Sequence, residues 1–366
     1  MASFLLKATL ATALSASHVL ASCSYGTFLQ PRAEEGGAVP VNTFGYTGAQ
    51  GPLNWVALDP AANAACATGT NQSPIDMVDG VFQMVEASDL TLSIPDIEET
   101  EFENLGTTVE VIGKGGSLVI SNITYEFKQT HWHLPSEHLD NGTSIAMEQH
   151  MVFQSADNQI AVIGIFVDLD NGGVAAAPPA AAPAPEAPAA TATSSSATAE
   201  APAATETTAT APAAERLRFR RGGGHARRQE PVAAPGSFGG VQGFITTPMA
   251  AAPGVTSNVL ETVFAKVGEI ATPGTSVKTG PLAMTEIVNT VLSGSFQSYA
   301  GSLTTPPCSE GVRWLVATQK LQIQTSTFEQ VRSVIGFNSR FPQNKPGEPN
   351  VIQLAMGSAA QIPVAA

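Results

Sequence analysis

Four of the six histidines, His131, His133, His138 and His150, fall within twenty residues of one another. In the run KQTHWHLPSEH, His131 and His133 are two apart. A strand repeats its side-chain direction every two residues, so both imidazoles leave one face together. The following LDNGTS has turn chemistry, and AMEQHMVF reads as the next strand, from which His150 brings a third ring nitrogen as an antiparallel neighbour. Three imidazoles without a thiolate suit a catalytic zinc, which keeps its fourth position open, whereas structural zinc sites usually close with cysteine. A metal-bound imidazole also needs a partner for its other nitrogen. Gln129 and Glu148 each lie two residues before a histidine of the trio, on the same strand face, and are the candidates. His138, which follows Ser136 and Glu137, is expected to hydrogen-bond within the scaffold. A set of ordinary core histidines would instead need each imidazole satisfied separately.

The elements that must position these residues read mainly as strands. LTLSIP, TTVEVIG, SLVISNITYEF, MEQHMVF and IAVIGIFVDL are β-branched, partly alternating and bounded by Gly, Asn or Asp. Later, NVLETVFAKVGEI and LAMTEIVNTVL carry apolar residues at helical spacing, GVRWLVAT and KLQIQTS return to strand character, and TFEQVRSVIG predicts a further short helix. Between the two groups, residues 171–257 form an Ala/Pro/Thr-rich segment with almost no large apolar side chains as far as Ala234. Such a composition builds no core, and recurrent proline breaks helix, so the segment is expected to be a disordered insert. The flanks form either one domain over 40–366 that the insert interrupts, or two domains joined by it.

The balance of 17 Lys+Arg against 31 Asp+Glu gives a net charge of −14, which opposes binding to nucleic acid or to an anionic membrane surface. A small-molecule partner fits better. Residues 1–21, with an apolar stretch ending in Val19-Leu20-Ala21, predict a secretory signal peptide and an extracellular, cell-wall or periplasmic location. Leu20-Ala21-Ser22-Cys23 also reads as a lipoprotein cleavage box with a lipid on Cys23. No stretch is long and apolar enough for a membrane-spanning helix. Asn122-Ile-Thr and Asn141-Gly-Thr are glycosylation acceptors in a eukaryotic secretory host. Of Cys23, Cys66 and Cys308, two are expected to pair in an exported protein, and their spacing does not choose which.

His131-Trp-His133 followed four residues on by Glu137 resembles the metal motif of cupins, which makes Glu137 a ligand. That motif wants a glycine seven residues after the glutamate, but position 144 is Ser and Gly142 comes too early. The broader resemblance is to the α-class carbonic anhydrases. FGYTGAQGPLNW, NQSPIDM, THWHLPSEH, MEQHMVF, AVIGIF and, beyond the insert, YAGSLTTPPCSEGVRW are similar to that family's motifs and stand in its order, from Tyr46 to about Asn350. The resemblance implies one interrupted domain of mainly β, mixed α+β class: a large, mostly antiparallel twisted sheet with short peripheral helices.

It further implies a lyase that hydrates carbon dioxide reversibly to bicarbonate and a proton by zinc-bound hydroxide. His131, His133 and His150 would bind Zn²⁺, and Thr304 would donate its hydroxyl proton to Glu137. Gln129 would support His131, Glu148 would support His150, and the Asn338 carbonyl would support His133. Val152, Val162, Leu303, Val312 and Trp314 would line the carbon dioxide niche, Thr305 would hold bicarbonate, and Tyr46 would order water. The family's exported members imply a Cys66–Cys308 disulfide. One position departs from the pattern: where fast members carry a histidine proton shuttle, Asn104-Leu-Gly-Thr107 places Thr107, which does not titrate near neutral pH. A rival is a structural or wall-associated matrix protein carrying a weakly active domain of this kind, which the insert suggests. Retention of all three zinc histidines favours the enzyme.

Overall fold

Half-buried strands alternate in the sequence, as in Leu90–Ser93, where buried and exposed residues take turns. Fully covered stretches are free of polar side chains, as in residues 161–167 of Ile160–Asp170. A computed structural model describes residues 39–170 and 256–359. Its strands are β1 (Asp76–Met77), β2 (Gln83–Glu86), β3 (Leu90–Ser93), β4 (Glu101–Asn104), β5 (Val109–Ile112), β6 (Ser117–Ile120), β7 (Ile123–His133), β8 (Leu139–Asp140), β9 (Met147–Ser155), β10 (Ile160–Asp170), β11 (Ser276–Lys278), β12 (Ser295–Ser302), β13 (Glu310–Ala317) and β14 (Leu321–Gln324). Twelve of them form one sheet in the order β11-β4-β5-β7-β9-β10-β13-β12-β2, with β14 beside β10 and β6 linking β3 to β7, while β1 and β8 pair separately. Within the large sheet pairing is antiparallel except where β10 meets β13 and β14. The fold is therefore the large mixed sheet with short helices that the sequence led us to expect.

The helices Asn258–Phe264, Met284–Leu292 and Thr325–Ile335 contribute Leu260, Phe264, Ile287, Val291 and Val331 to the main core, with Trp132, Phe153, Ile163 and Leu315 from the strands. Trp132 lies between His131 and His133 and points into this core, its ring centroid 4.8 Å from that of Phe264. The period of two then sends the two histidines to the opposite face. There a smaller apolar cluster gathers Val152, Val162, Tyr299, Val312 and Trp314.

Two local expectations are corrected. SLVISNITYEF is not one strand: Ser121 and Asn122 both adopt positive φ (51° and 61°), the geometry of a tight two-residue hairpin turn joining β6 to β7. The second concerns the end of the expected insert. Thr256 forms a bridge with Gln322 and donates its hydroxyl to Asp170, and Ser257 caps the helix Asn258–Phe264 by accepting from the Leu260 amide. Both are part of the folded body. The expected signal peptide and the remainder of the expected insert lie outside the described residues.

Asp170 and Thr256 flank β14, Asp170 against Gln324 and Thr256 against Gln322, and the Thr256 hydroxyl reaches the Asp170 carboxylate. A short Gly/Ser bridge replacing residues 171–255 therefore spans the gap without moving either end. The shortened closure is worth about 2 kcal/mol in chain entropy. We expect the shortened protein to fold with an unchanged or higher urea midpoint; a lower midpoint would show that the segment contributes to the fold.

Candidate metal centre

Strand register assembles the histidines. His131 on β7 lies directly opposite His150 on β9, and His133 follows two residues along β7 on the same face. The ring centroids are 5.1 Å apart for His131 and His133, 5.2 Å for His131 and His150, and 4.6 Å for His133 and His150. One ring nitrogen from each lies within 4.8 Å of the others, and all three side chains are buried.

In each ring the other nitrogen is already engaged. His131 Nδ1 meets Gln129 Oε1 at 2.9 Å, His133 Nδ1 meets the Asn338 carbonyl at 2.8 Å, and His150 Nε2 meets Glu148 Oε1 at 2.9 Å. The acceptors force these nitrogens to carry the proton, because a carbonyl or carboxylate oxygen only accepts. The lone pairs of His131 Nε2, His133 Nε2 and His150 Nδ1 are then left for a common point. His133 Nε2 is buried with no hydrogen-bond partner. A buried orphan lone pair in a ring of imidazoles fits a metal ion, and an all-nitrogen trio fits zinc with an open coordination position.

Electrostatics favours the same state. Burial lowers the pKa of His131 well below its usual value, reinforced by the other two rings. Burial also takes His133 down to about 4 against the pull of the Asn338 carbonyl, and lowers His150 against the pull of Glu148. The three are neutral at pH 7, as metal ligation requires. Burial pushes Glu148 up, but His138 and His150 outweigh it and hold this carboxylate well below the usual range.

Glu137 is held differently. Its Oε1 accepts the Arg340 amide at 2.9 Å, while Oε2 has no partner at hydrogen-bond distance. Burial raises its pKa to about 7, opposed by His150, the Arg340 amide and the nearby Thr304 hydroxyl. Thr304 is buried and Thr305 half-buried, in the loop that follows β12. The Cys308 amide closes this loop on the Thr305 carbonyl, and a disulfide joins Cys308 to Cys66 with Cα atoms 5.0 Å apart.

Cross-strand neighbours also build the apolar wall. Val152 faces Val162, Val162 faces Trp314, and Trp314 faces Tyr299 in successive strands, with Val312 and half-buried Leu303 in the same cluster. The Trp314 ring centroid is 4.8 Å from that of His150. Tyr46 packs edge-on against Trp55 and Phe44, and burial beside Glu137 raises its phenol pKa well above 10. Thr107 is buried, its hydroxyl accepting from Asn42 and its carbonyl accepting from Asn338 Nδ2.

Sequence reasoning missed three participants. Arg340 is fully buried, donating through Nη1 to the Ser73 carbonyl and through Nη2 to Gln72 Oε1. Burial brings its pKa down to about 10, so it stays charged. Tyr299 meets Ser73 across 226 residues of sequence and His138 across 161, and no local spacing announces such contacts.

These shifts give a pH dependence for the metal-free protein. A histidine whose folded pKa is depressed refuses protons that the unfolded chain accepts, so stability is lost as pH falls below 6.5. Glu137, raised to about 7, works the other way and gains stability over the same descent to about 4.5. His133 and Glu137 are displaced equally and oppositely, on the order of 3 kcal/mol each, and offset one another. His131 and His150 remain. We expect the urea midpoint of the metal-free protein to fall between pH 7 and pH 4.5; a rising midpoint would contradict neutral imidazoles.

The chain as a whole is similar to known proteins. The family profile of eukaryotic-type carbonic anhydrase matches residues 50–176 and 244–347. Alpha carbonic anhydrase 6 of Arabidopsis thaliana is 36% identical over 138 residues, covering 37% of this chain and 53% of that protein, so the chain spans about half the length of this relative. A carbonic anhydrase of Pectobacterium atrosepticum is 24% identical over 308 residues, 84% of this chain and 87% of that one. The solved structure of the fungal alpha carbonic anhydrase from Aspergillus oryzae superposes with a TM-score of 0.62 at 28% identity, covering 88% of this chain and all of the other. Matched on both sides of residues 177–243, over more than half its length, the chain belongs to the eukaryotic-type, α-class carbonic anhydrase family.

Proposed function

We propose that this protein is a zinc-dependent carbonic anhydrase, interconverting carbon dioxide and bicarbonate. The observation that carries the reading is the convergence of three buried, neutral imidazoles, each oriented by a separate acceptor and each with one lone pair left over. Zinc held there by His131, His133 and His150 supplies, when bound, the Lewis acidity that makes water a nucleophile near neutral pH.

The chain's own groups do the rest. Arg340 fixes Glu137 through its amide, and Glu137 takes the Thr304 hydroxyl proton as acceptor, which turns the Thr304 oxygen lone pairs toward the incoming nucleophile. Val152, Val162, Leu303, Val312 and Trp314 offer uncharged carbon dioxide a dry wall beside the metal. The Thr304 amide and Thr305 bind bicarbonate, and Tyr46, kept protonated by burial, orders water at the mouth. With buried Thr107 at the shuttle position, the proton leaves through water to buffer.

The Cys66–Cys308 disulfide supports export to an oxidising compartment, and the secreted, signal-peptide-bearing form is part of the proposal. Asn122 and Asn141 are exposed in turns, open to glycosylation in a eukaryotic host. Stopped-flow hydration of carbon dioxide by the zinc-loaded protein tests the reading. Zinc-dependent turnover that rises with buffer concentration is expected. A protein loaded with one zinc per chain yet inert would move the weight to a structural role.

A further inference from the structure

We propose that Tyr299 is a positioning residue for the metal centre: acting through His138 and Glu148, it fixes which nitrogen of His150 faces the metal. The proposal rests on the zinc reading above and concerns how one ligand is held.

The proton order follows from the acceptor end. Glu148 is fully buried and accepts four hydrogen bonds. Its Oε2 takes the backbone amides of Glu137 and His138, both at 2.8 Å, and its Oε1 takes His138 Nδ1 at 2.6 Å and His150 Nε2 at 2.9 Å. An ionised carboxylate has nothing to donate, so both ring nitrogens facing it must carry hydrogen. His138 is then left with a lone pair on Nε2, and the Tyr299 hydroxyl, 2.7 Å away, donates to it. The Tyr299 oxygen in turn accepts from Ser73 Oγ at 2.7 Å, and Ser73 Oγ accepts from the Ser302 amide at 3.0 Å.

The result is one directed sequence: Ser302 N–H to Ser73, Ser73 O–H to Tyr299, Tyr299 O–H to His138 Nε2, and His138 Nδ1–H to Glu148. Glu148 also takes the proton of His150 Nε2, so Nδ1 of His150 is the nitrogen that faces the site. The reverse order would set the His138 Nδ1 lone pair against a carboxylate oxygen at 2.6 Å.

Two glycines make room for this path. A Cβ on Gly301 would stand 2.2 Å from Ser73 Oγ and 2.5 Å from the Tyr299 ring, and one on Gly164 would stand 2.9 Å from Glu148 Oε1. The path also crosses between the two halves of the chain. Ser73, His138, Glu148 and His150 precede residues 171–255, whereas Tyr299 and Ser302 follow them, five and two residues before Thr304. The ligand orientation of His150 is therefore completed only when the strand leading to Thr304 has docked.

Tyr299→Phe separates positioning from packing. The ring stacks on Trp314, with planes 9° apart and centroids 6.3 Å apart, and phenylalanine keeps that contact while losing the donor. Left without it, the His138 ring is no longer held from its Nε2 side, which weakens the grip of Glu148 on His150. The zinc dissociation constant, from competition with a chromophoric chelator, is expected to rise about tenfold with faster release, the scale of partners that orient metal ligands. Adding Ser73→Ala to Tyr299→Phe is expected to weaken binding little further, because both interrupt one path.

A dissociation constant for Tyr299→Phe within twofold of wild type would overturn the proposal. Nitrogen-15 NMR of the metal-free wild-type protein provides a second measurement that needs no variant. The proton is expected on Nδ1 of His138 and on Nε2 of His150, and the opposite placement on His138 would also overturn it. Wild-type protein that takes up no zinc would sink the functional reading instead, and the nitrogen assignments would still decide the proton order.

Discussion

His133→Ala is expected to leave a folded protein that no longer retains zinc and whose carbon dioxide hydration falls to the buffer background, a loss of roughly three orders of magnitude or more, the scale on which preorganised active-site groups act. His133 is 1% exposed, and Nε2 is the one atom of the trio left buried without a partner. Removing it takes away a third of the ligand set. The fold pays less, because the ring sits on the face opposite the main core. The Asn338 carbonyl loses its donor, at about 1–3 kcal/mol, against a total stability of about 5–15 kcal/mol for a typical domain. Zinc content after dialysis, read beside far-UV circular dichroism, separates the two effects. Retained stoichiometric zinc with normal turnover would show that the metal sits elsewhere.

The His131 and His133 pair was legible because both belong to one strand, and its period of two decides their common face. His150 required one more step, the antiparallel return of β9, and the register puts it directly opposite His131. Gln129 and Glu148 followed from the same spacing, and each makes the expected contact. Residues brought in from far along the chain were not legible in this way. Asn338 is 205 residues from His133 and Arg340 is 203 from Glu137, and only family resemblance anticipated the first. Arg340 went unnoticed because an isolated arginine between Ser339 and Phe341 reads as surface, whereas here its guanidinium is buried against the Ser73 carbonyl and the Trp55 ring. The Ser121-Asn122 turn was missed for a different reason. Flanking β-branched residues run through it without the glycine that usually marks such a turn, and Asn tolerates the left-handed conformation well enough to replace it.

Thr304→Val is expected to keep zinc and fold while lowering hydration by about 10²-fold, the effect of removing one oriented hydrogen-bonding group from an active site. Valine preserves the β-branched shape, so the buried position stays filled and the loop tied by the Cys66–Cys308 disulfide keeps its course. What disappears is the hydroxyl that, in the proposed mechanism, donates to Glu137. Glu137 is already raised to about 7 by burial, with Thr304 among the groups holding it down. Without that hydroxyl its pKa rises further and the carboxyl is more often protonated at pH 7, so the variant's remaining activity should shift its pH profile upward. Thr304→Ser restores the hydroxyl and should recover most of the rate, whereas Thr305→Val, in the same half-buried stretch of loop, should affect bicarbonate affinity more than turnover. A Thr304→Val enzyme within threefold of wild type would remove the Thr304–Glu137 pair from the mechanism and leave the three imidazoles and the apolar wall to account for catalysis.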